Sequence, residues 1–230
     1  MRRTDLLVFL ADEIAKRKVE VRPLKVAIDG RCAAGKTMLA DELGSILSER
    51  GFDVLRPSVD GFHHPRQRRY RQGEYSARGY YEDAFDYEAV RRSLLEPLSG
   101  HVFPVACREV TFDYRVDLPV NAPPVSVGAN SILLFEGLFL FRREINAYWD
   151  YRILLDIDPG TALARALVRD TVGSSDVIRR KYAARYEPAW QMYTEKENPE
   201  AKVDVVIDNR DAAMPQILGE LEKYRSGTLS

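Results

Sequence analysis

The chain has 230 residues, 45% of them hydrophobic, and its 34 lysines and arginines nearly balance its 35 aspartates and glutamates. This length fits one α/β domain with a small insertion, and the formal charge of −1 gives no overall attraction to nucleic acid or to an anionic membrane. Two cysteines are too few for a disulfide framework. The most apolar segment, residues 132–141, contains a glutamate and is far shorter than the roughly 20 residues that cross a bilayer. We therefore expect a cytoplasmic protein with no nucleic-acid or membrane partner. Assembly into a homo-oligomer is compatible with these observations.

In chain order, the hydrophobic pattern predicts helices that alternate with strands. Such alternation is typical of a parallel sheet covered by helices on both faces, which places the whole chain, 1–230, in one α/β domain. The predicted elements are a helix from Thr4, a strand at 24–28, a helix at 36–51, a strand at 53–59, a loop with a short helix at 61–82, a helix at 86–98, a hairpin-type insertion at about 101–128, strands at 131–137 and 151–158, a helix from Pro159, a further helical region to about 196, a strand at 203–209 and a C-terminal helix at 212–224.

The string IDGRCAAGKT, residues 28–37, lies between the first predicted strand and the second predicted helix. It contains Gly30-x-x-x-x-Gly35-Lys36-Thr37, the full pattern of a phosphate-binding loop. Glycines allow successive backbone amides to turn inward, and the following helix N-terminus adds partial positive charge. Lys36 would reach the β- and γ-phosphates of ATP, and the Thr37 hydroxyl would bind Mg²⁺. The predicted ATP-binding residues are Gly30, Arg31, Cys32, Ala33, Ala34, Gly35, Lys36 and Thr37.

Several other classes of nucleotide-binding protein carry the same loop, so the rest of the chain has to decide between them. A GTPase reads guanine with Asn-Lys-x-Asp, and no asparagine of this chain is followed by lysine. The transporter-type ATPase signature Leu-Ser-Gly-Gly-Gln is also missing, because Leu98-Ser99-Gly100 continues with His101. Both of these classes are therefore disfavoured.

Two acidic residues follow predicted strands. Asp60 ends the second strand, and Glu136 lies at the end of SILLFEG. Since the carboxyl ends of parallel strands meet at one edge of a sheet, both should face the phosphate loop. Asp60 would accept the proton of a substrate hydroxyl, and Glu136 would hold Mg²⁺ through water. The pattern predicts a phosphoryl-transfer site.

Together with these elements, the motifs YYEDAFD at 80–86, TFDY at 111–114, RD at 169–170 and VDVVID at 203–208 resemble the uridine kinase and phosphoribulokinase group of P-loop kinases. The resemblance runs from about residue 24 to 209. It implies a P-loop NTPase fold, ATP and Mg²⁺ as cofactors, and Asp60 as the general base. It also implies an arginine-bearing lid at about 169–185, in which Arg169 is the first candidate to reach the triphosphate and Arg179 and Arg180 could assist.

The acceptor end departs from this family. The positions that match the nucleoside-binding residues of uridine kinases are Tyr80, Phe112, Asp117 and Lys181, and none keeps the family residue. A site built to hydrogen-bond uridine would leave groups unpaired with another ligand, so these changes indicate a different acceptor or a different way of holding it. His63 follows the predicted base and could orient it or contact the acceptor.

Five arginines between residues 66 and 78 form a further candidate. They could bind an acceptor that carries a phosphate or carboxylate, or they could form ion pairs with Glu74, Glu82 and Asp83. The five are Arg66, Arg68, Arg69, Arg71 and Arg78.

We therefore expect an ATP-dependent kinase that acts on a hydroxyl group of a small molecule. By resemblance, the first acceptor to consider is a nucleoside, uridine or cytidine. The alternatives are a sugar, a sugar phosphate or a vitamin precursor such as pantothenate. From another class, a nucleotide-dependent regulatory switch is the competing hypothesis.

Overall fold

A six-stranded sheet forms the centre of the protein, in the order β10-β9-β8-β1-β7-β2. All neighbouring pairs are parallel except the antiparallel pair of β10 and β9. The computed structural model describes residues 1–170 and 174–218. The strands are β1 Leu24–Gly30, β2 Asp53–Leu55, β3 Val105–Cys107, β4 Phe112–Asp113, β5 Leu118–Pro119, β6 Val125–Val127, β7 Ser131–Gly137, β8 Tyr151–Asp156, β9 Val205–Asp208 and β10 Gln216–Leu218.

Helices connect the strands and cover the sheet. The α-helices are α1 Arg3–Arg17, α2 Lys36–Glu49, α3 Arg66–Arg69, α4 Ala77–Asp83, α5 Tyr87–Val90, α6 Pro159–Arg169, α7 Ser175–Lys181 and α8 Glu187–Glu197. Two π-helical segments, Arg91–Leu95 and Tyr182–Tyr186, continue α5 and join α7 to α8. The Asp158 side chain accepts a hydrogen bond from the Thr161 amide, which caps α6 next to its first-turn proline.

The sheet separates two hydrophobic cores. Every residue of β1 and β7 is buried, as expected for central parallel strands that are covered on both faces. Alternate side chains of β7 belong to different cores: Leu133 and Phe135 face α4, α5 and α8, whereas Ile132 and Leu134 face α1, α2 and α6. This packing fixes the carboxyl ends of β1 and β7, from which the site is built.

Residues 105–127 form the predicted hairpin-type insertion as two nested antiparallel pairs. β3 pairs with β6, and β4 pairs with β5 between them. The Thr111 amide donates to the Gly61 carbonyl at 2.9 Å, which joins the insertion to the turn that carries Asp60.

Two predicted elements differ from the structure. The second strand ends at Leu55 instead of 59, because Pro57 has no amide hydrogen to donate and Val59–Phe62 turn into a 3₁₀ helix. The predicted helix at 212–224 is wrong over its first part, since Gln216–Leu218 is strand β10, paired with β9. Residues 219–224 of that helix, and residues 171–173 of the predicted lid, lie outside the described residues.

Across residues 1–170 and 174–218, none of the helices combines the length and the apolar character needed to span a membrane.

Candidate active site

The phosphate loop, residues 30–37, leaves β1 and enters α2 through backbone conformations that favour glycine. Gly35 has φ +95°, and a Cβ there would lie 2.8 Å from Nδ2 of Asn209. A Cβ on Gly30 would lie 2.6 Å from the Leu155 carbonyl oxygen, so both glycines of the motif are required by space. Ala33 has φ +61° and is held in the left-handed region without being glycine.

Side chains from distant elements hold this loop in place. Nδ2 of Asn209, just after β9, donates to the Ala34 carbonyl at 2.7 Å. The Arg31 guanidinium donates to both carboxylate oxygens of Glu187 at 2.9 and 2.8 Å, which ties the loop to the start of α8. Nζ of Lys36 donates to the Arg31 carbonyl at 2.9 Å. The loop is therefore preorganised, as anion binding by backbone amides requires.

Both predicted acids lie at the carboxyl edge of the sheet. Oγ1 of Thr37 donates to Oε1 of Glu136 at 3.2 Å. Burial raises the pKa of Glu136, and the positive charge of Lys36 opposes that rise. The side chain of Asp60 is 52% exposed because it opens into a cavity, but the protein atoms around it raise its pKa through desolvation, against the charges of Lys36, Arg115 and Arg169.

The pair of Thr37 and Glu136 fits a Mg²⁺ site of the kind in which the nucleotide supplies most ligands. Mg²⁺ keeps several waters and takes only one or two protein oxygens together with phosphate oxygens. A hydroxyl and a carboxylate 3.2 Å apart beside the phosphate loop match that donor set. Within the described residues, no group of three or more histidines, cysteines or acids forms a metal cage of its own.

The groups described above line one cavity of about 760 Å³. Its walls contain the predicted base Asp60, the phosphate-loop residues 32, 33 and 35–37, and Glu136. Arg169 and three of the acceptor candidates, His63, Tyr80 and Lys181, also line it.

Other predicted residues lie outside these walls. Phe112 is buried in β4, and Asp117 bonds Nη2 of Arg69 at 3.0 Å. Neither of these two acceptor candidates lines the cavity, and Asp117 instead holds the cavity-lining Arg69. Gly30, Arg31 and Ala34 support the phosphate loop from behind without lining the cavity.

The arginines divide into cavity-lining and surface residues. Arg71 pairs with Asp83 at 2.6 Å, and Arg78 pairs with Glu82 at 3.0 Å. For these two arginines the structure therefore shows ion pairs with neighbouring acids, the second of the two roles considered for the cluster. Of the five arginines between 66 and 78, Arg69 lines the cavity. In the lid region, Arg169 lines the cavity and bonds Asp170 at 2.7 Å, whereas Arg179 and Arg180 are exposed and lie outside its walls.

Sequence reasoning missed several cationic and polar residues of the cavity, among them Arg165, Asn209 and Arg185. Arg165 lies one turn before Arg169 on α6 and donates to the Asn209 carbonyl at 2.7 Å. Its spacing of four residues from Arg169 was an available signal, since such residues share a helix face. Asn209 and Arg185 also line the cavity, but only the tertiary contacts described here reveal them.

His63 lies between the rings of Phe85 and Tyr114, at centroid distances of 4.6 Å to each. Its Nδ1 is 3.0 Å from the Asp60 carbonyl oxygen. A carbonyl can only accept, so Nδ1 carries the proton and Nε2 is left as an acceptor. Burial, and then the charges of Arg69 and Arg185, lower the pKa of His63 to about 4, which keeps the ring neutral near pH 7.

Asp29, the residue before the first glycine of the motif, is a further position that sequence reasoning missed. It is fully buried and accepts hydrogen bonds from the Gly30 amide at 2.8 Å, the Leu140 amide at 3.1 Å and the Tyr193 hydroxyl at 2.6 Å. Burial raises its pKa to about 6, and the hydrogen bond from Tyr193 acts in the opposite direction. The available signal was an acid at the end of a strand whose residues are otherwise apolar except for Lys25 and the terminal glycine.

Comparisons with known proteins agree with this geometry. The model of the Phosphoribulokinase / Uridine kinase family matches residues 26–211. Uridine-cytidine kinase B of Dictyostelium discoideum is 25% identical over 175 residues, which is 74% of this chain and 69% of that protein. Uridine-cytidine kinase 2-B of Danio rerio is 25% identical over 185 residues, or 75% of this chain and 68% of that protein.

The solved structure of a possible uridine kinase from Bacillus stearothermophilus has a TM-score of 0.69 at 25% identity, over 88% of this chain and 97% of that one. The α/β fold is thus that of P-loop kinases, and the prediction of the fold class and family is confirmed. The chain belongs to the phosphoribulokinase and uridine kinase family.

Proposed function

We propose that this protein transfers the γ-phosphoryl group of ATP to a hydroxyl group of a small-molecule acceptor, with Asp60 as the general base. One observation carries the proposal: Asp60, Lys36 and Glu136, which come from three separate elements, open into the same cavity. Donor and acceptor can therefore meet there, as a direct transfer requires.

The phosphate end of the cavity has groups that suit the phosphates of the nucleotide and its Mg²⁺. Backbone amides of residues 32–37 would hold the phosphates, and Lys36 would place its charge on the β- and γ-phosphates. Thr37 and Glu136 would hold Mg²⁺, which neutralises charge on the phosphate oxygens when bound. Arg169 and Arg165 also line the cavity and would add positive charge to the transferring group.

At the acceptor end, Asp60 would take the proton of the attacking hydroxyl. Desolvation raises the pKa of Asp60, which makes the carboxylate a stronger base than an exposed aspartate. The neutral His63 ring has Nε2 free to accept from a second group of the acceptor. Because Nδ1 of His63 is 4.0 Å from Oδ1 of Asp60, one acceptor molecule could contact both.

The names of the relatives make uridine and cytidine the first acceptors to test. The cavity walls, however, contain Tyr80 and Lys181 where uridine kinases have other residues. At a sequence identity near 25%, the names of the relatives do not fix the acceptor of this protein, which has to be measured.

The experiment is to measure ADP formation from ATP and Mg²⁺ with nucleosides, sugars, sugar phosphates and pantothenate. Stimulation by one compound, with the phosphorylated product identified by mass spectrometry, supports the kinase. Slow ADP formation that no compound stimulates would favour the regulatory switch instead.

A further inference from the structure

Arg185 is a buried cation without a carboxylate partner among the described residues. It is 5% exposed and lines the cavity. One of its Nη atoms donates to the Glu74 carbonyl, while its buried Nε has no partner. A buried charge is costly unless an opposite charge and hydrogen bonds compensate it. The structure thus contains a guanidinium whose counter-anion has to come from elsewhere.

Aromatic rings surround this guanidinium and orient it. Its central carbon lies 4.6 Å from the centroid of Tyr80, 5.0 Å from that of Tyr70 and 6.0 Å from that of Tyr186. Rings offer a cation partial compensation, but they do not use its hydrogen-bond donors. Planar guanidinium groups bind carboxylates and phosphates through paired hydrogen bonds, and such donors remain free here.

A second guanidinium adjoins the first. Arg69 is also 5% exposed and lines the cavity, and its central carbon lies 5.4 Å from the same Tyr70 ring. Its Nη2 is bonded to Asp117, but its buried Nε has no partner within the described residues. Lys181 also lines the cavity, and it pairs with Glu74 at 3.3 Å.

These cations lie on the acceptor side of Asp60. Nη2 of Arg69 donates to the Tyr114 carbonyl at 3.3 Å, and the Tyr114 ring lies 4.6 Å from that of His63. Nδ1 of His63 is in turn bonded to the Asp60 carbonyl. An acceptor with its hydroxyl at Asp60 would therefore extend past His63 toward Arg69 and Arg185.

We infer that the acceptor is an anion: a hydroxyl-bearing small molecule whose carboxylate or phosphate group binds Arg185 and Arg69. This inference rests on the proposed kinase function and narrows it, since uridine and cytidine carry no such group. The phosphate or carboxylate supplies the missing counter-charge, and the hydroxyl is left at Asp60.

The test compares neutral and anionic compounds of matched shape: glycerol with D-glycerate, panthenol with pantothenate, and ribose with ribose 5-phosphate. Equilibrium binding is measured by calorimetry without ATP, and phosphoryl transfer is measured separately. We expect the anionic member of at least one pair to bind at least about 10-fold more tightly than its neutral partner and to be the better acceptor. The first two pairs report on carboxylate and the third on phosphate.

The variant Arg185→Gln should abolish that preference and leave the KM for ATP unchanged. Arg143→Gln is the control, because it removes the same charge from an exposed position outside both the cavity and the predicted lid. If Arg185→Gln does not fold, potassium chloride decides the question with the unaltered protein: salt should weaken binding of the anionic members and not of the neutral ones.

Three results would overturn the inference. They are equal binding of all neutral and anionic partners, a preference that persists in folded Arg185→Gln, and an effect of that variant on ATP instead of the acceptor. The failure of the kinase function has a different signature, namely selective anion binding with no transfer to any compound.

Discussion

The hydroxyl of Tyr193 donates a 2.6 Å hydrogen bond to Oδ2 of Asp29 in the interior of the protein. The same hydroxyl accepts from the Phe141 amide at 3.0 Å. Helix α8 is thereby joined to the strand that carries the phosphate loop and to the segment that follows β7. The contact places a buried acid directly behind the site.

Loss of this contact should destabilise the protein. Tyr193→Phe leaves the Phe141 amide unpaired and removes one donor from Asp29, both in buried surroundings. We expect the free energy of unfolding to fall by about 1–3 kcal/mol, measured by urea denaturation at pH 7. Tyr148→Phe, whose hydroxyl meets Glu96 at the surface, should change it by less than about 0.5 kcal/mol. Equal losses in the two variants would contradict the importance of the Asp29 contact.

Loss of the phosphate-loop charge should act on ATP. Lys36→Ala removes the ammonium group that reaches into the cavity, so ATP should bind roughly 10- to 100-fold more weakly and turnover should be lost. Calorimetric titration with ATP and Mg²⁺ measures the binding. Lys196→Ala, at an exposed position on α8, serves as the control and should bind ATP normally.

Loss of the proposed base should act on the chemical step instead. Asp60→Asn should lower kcat by about 10²- to 10⁴-fold while the affinity for ATP stays nearly unchanged. Asp53→Asn, at the exposed start of β2, is the matched control. In the unaltered enzyme, activity should fall with decreasing pH along a limb whose pKa lies above that of an ordinary aspartate, because burial raises it. Full turnover by Asp60→Asn would refute the assignment.

The metal pair can be tested through the magnesium requirement. Glu136→Gln and Thr37→Val should each raise the Mg²⁺ concentration needed for half-maximal rate by about 10-fold or more, since outer and direct ligands both tune metal affinity. Thr37→Ser keeps the hydroxyl and should behave like the unaltered protein. The rates are measured at fixed ATP over a series of free Mg²⁺ concentrations. An unchanged requirement in Thr37→Val would rule out a hydroxyl ligand.

Burial of neutral His63 should make stability depend on pH. Its pKa is about 4 in the folded protein against an ordinary value of 6.5, so the unfolded chain binds the proton first. The stabilisation is fully present above pH 6.5 and is lost as the pH falls toward 4, by at most about 3 kcal/mol. His63→Phe should flatten this dependence in urea titrations between pH 7 and 4.5. His101→Gln, at an exposed position, should retain it.

The sequence predicts the central strands well and the acceptor-binding residues of the cavity poorly, for physical reasons. The strands β1 and β7 contain apolar runs, at 26–28 and 132–135, next to recognisable turns, so their burial follows from the pattern. Strand β10 is only three residues long and gains its hydrogen bonds from β9, which local pattern cannot reveal.

Site residues follow the same division. The phosphate loop and the acids after the strands are set by local sequence and by the geometry of a parallel sheet. Arg185 was missed because its burial depends on tyrosines from residue 70 and residue 80, more than 100 positions earlier. Resemblance predicts Phe112 and Asp117 at the acceptor, but neither residue lines the cavity.

The position of Asp60 in the same cavity as the phosphate loop has a stereochemical consequence. Under the proposed chemistry, the acceptor oxygen approaches phosphorus opposite the departing ADP, and no side chain carries the phosphoryl group in between. A single displacement of this kind inverts the configuration at a chiral phosphorus, whereas relay through a phosphorylated residue would retain it.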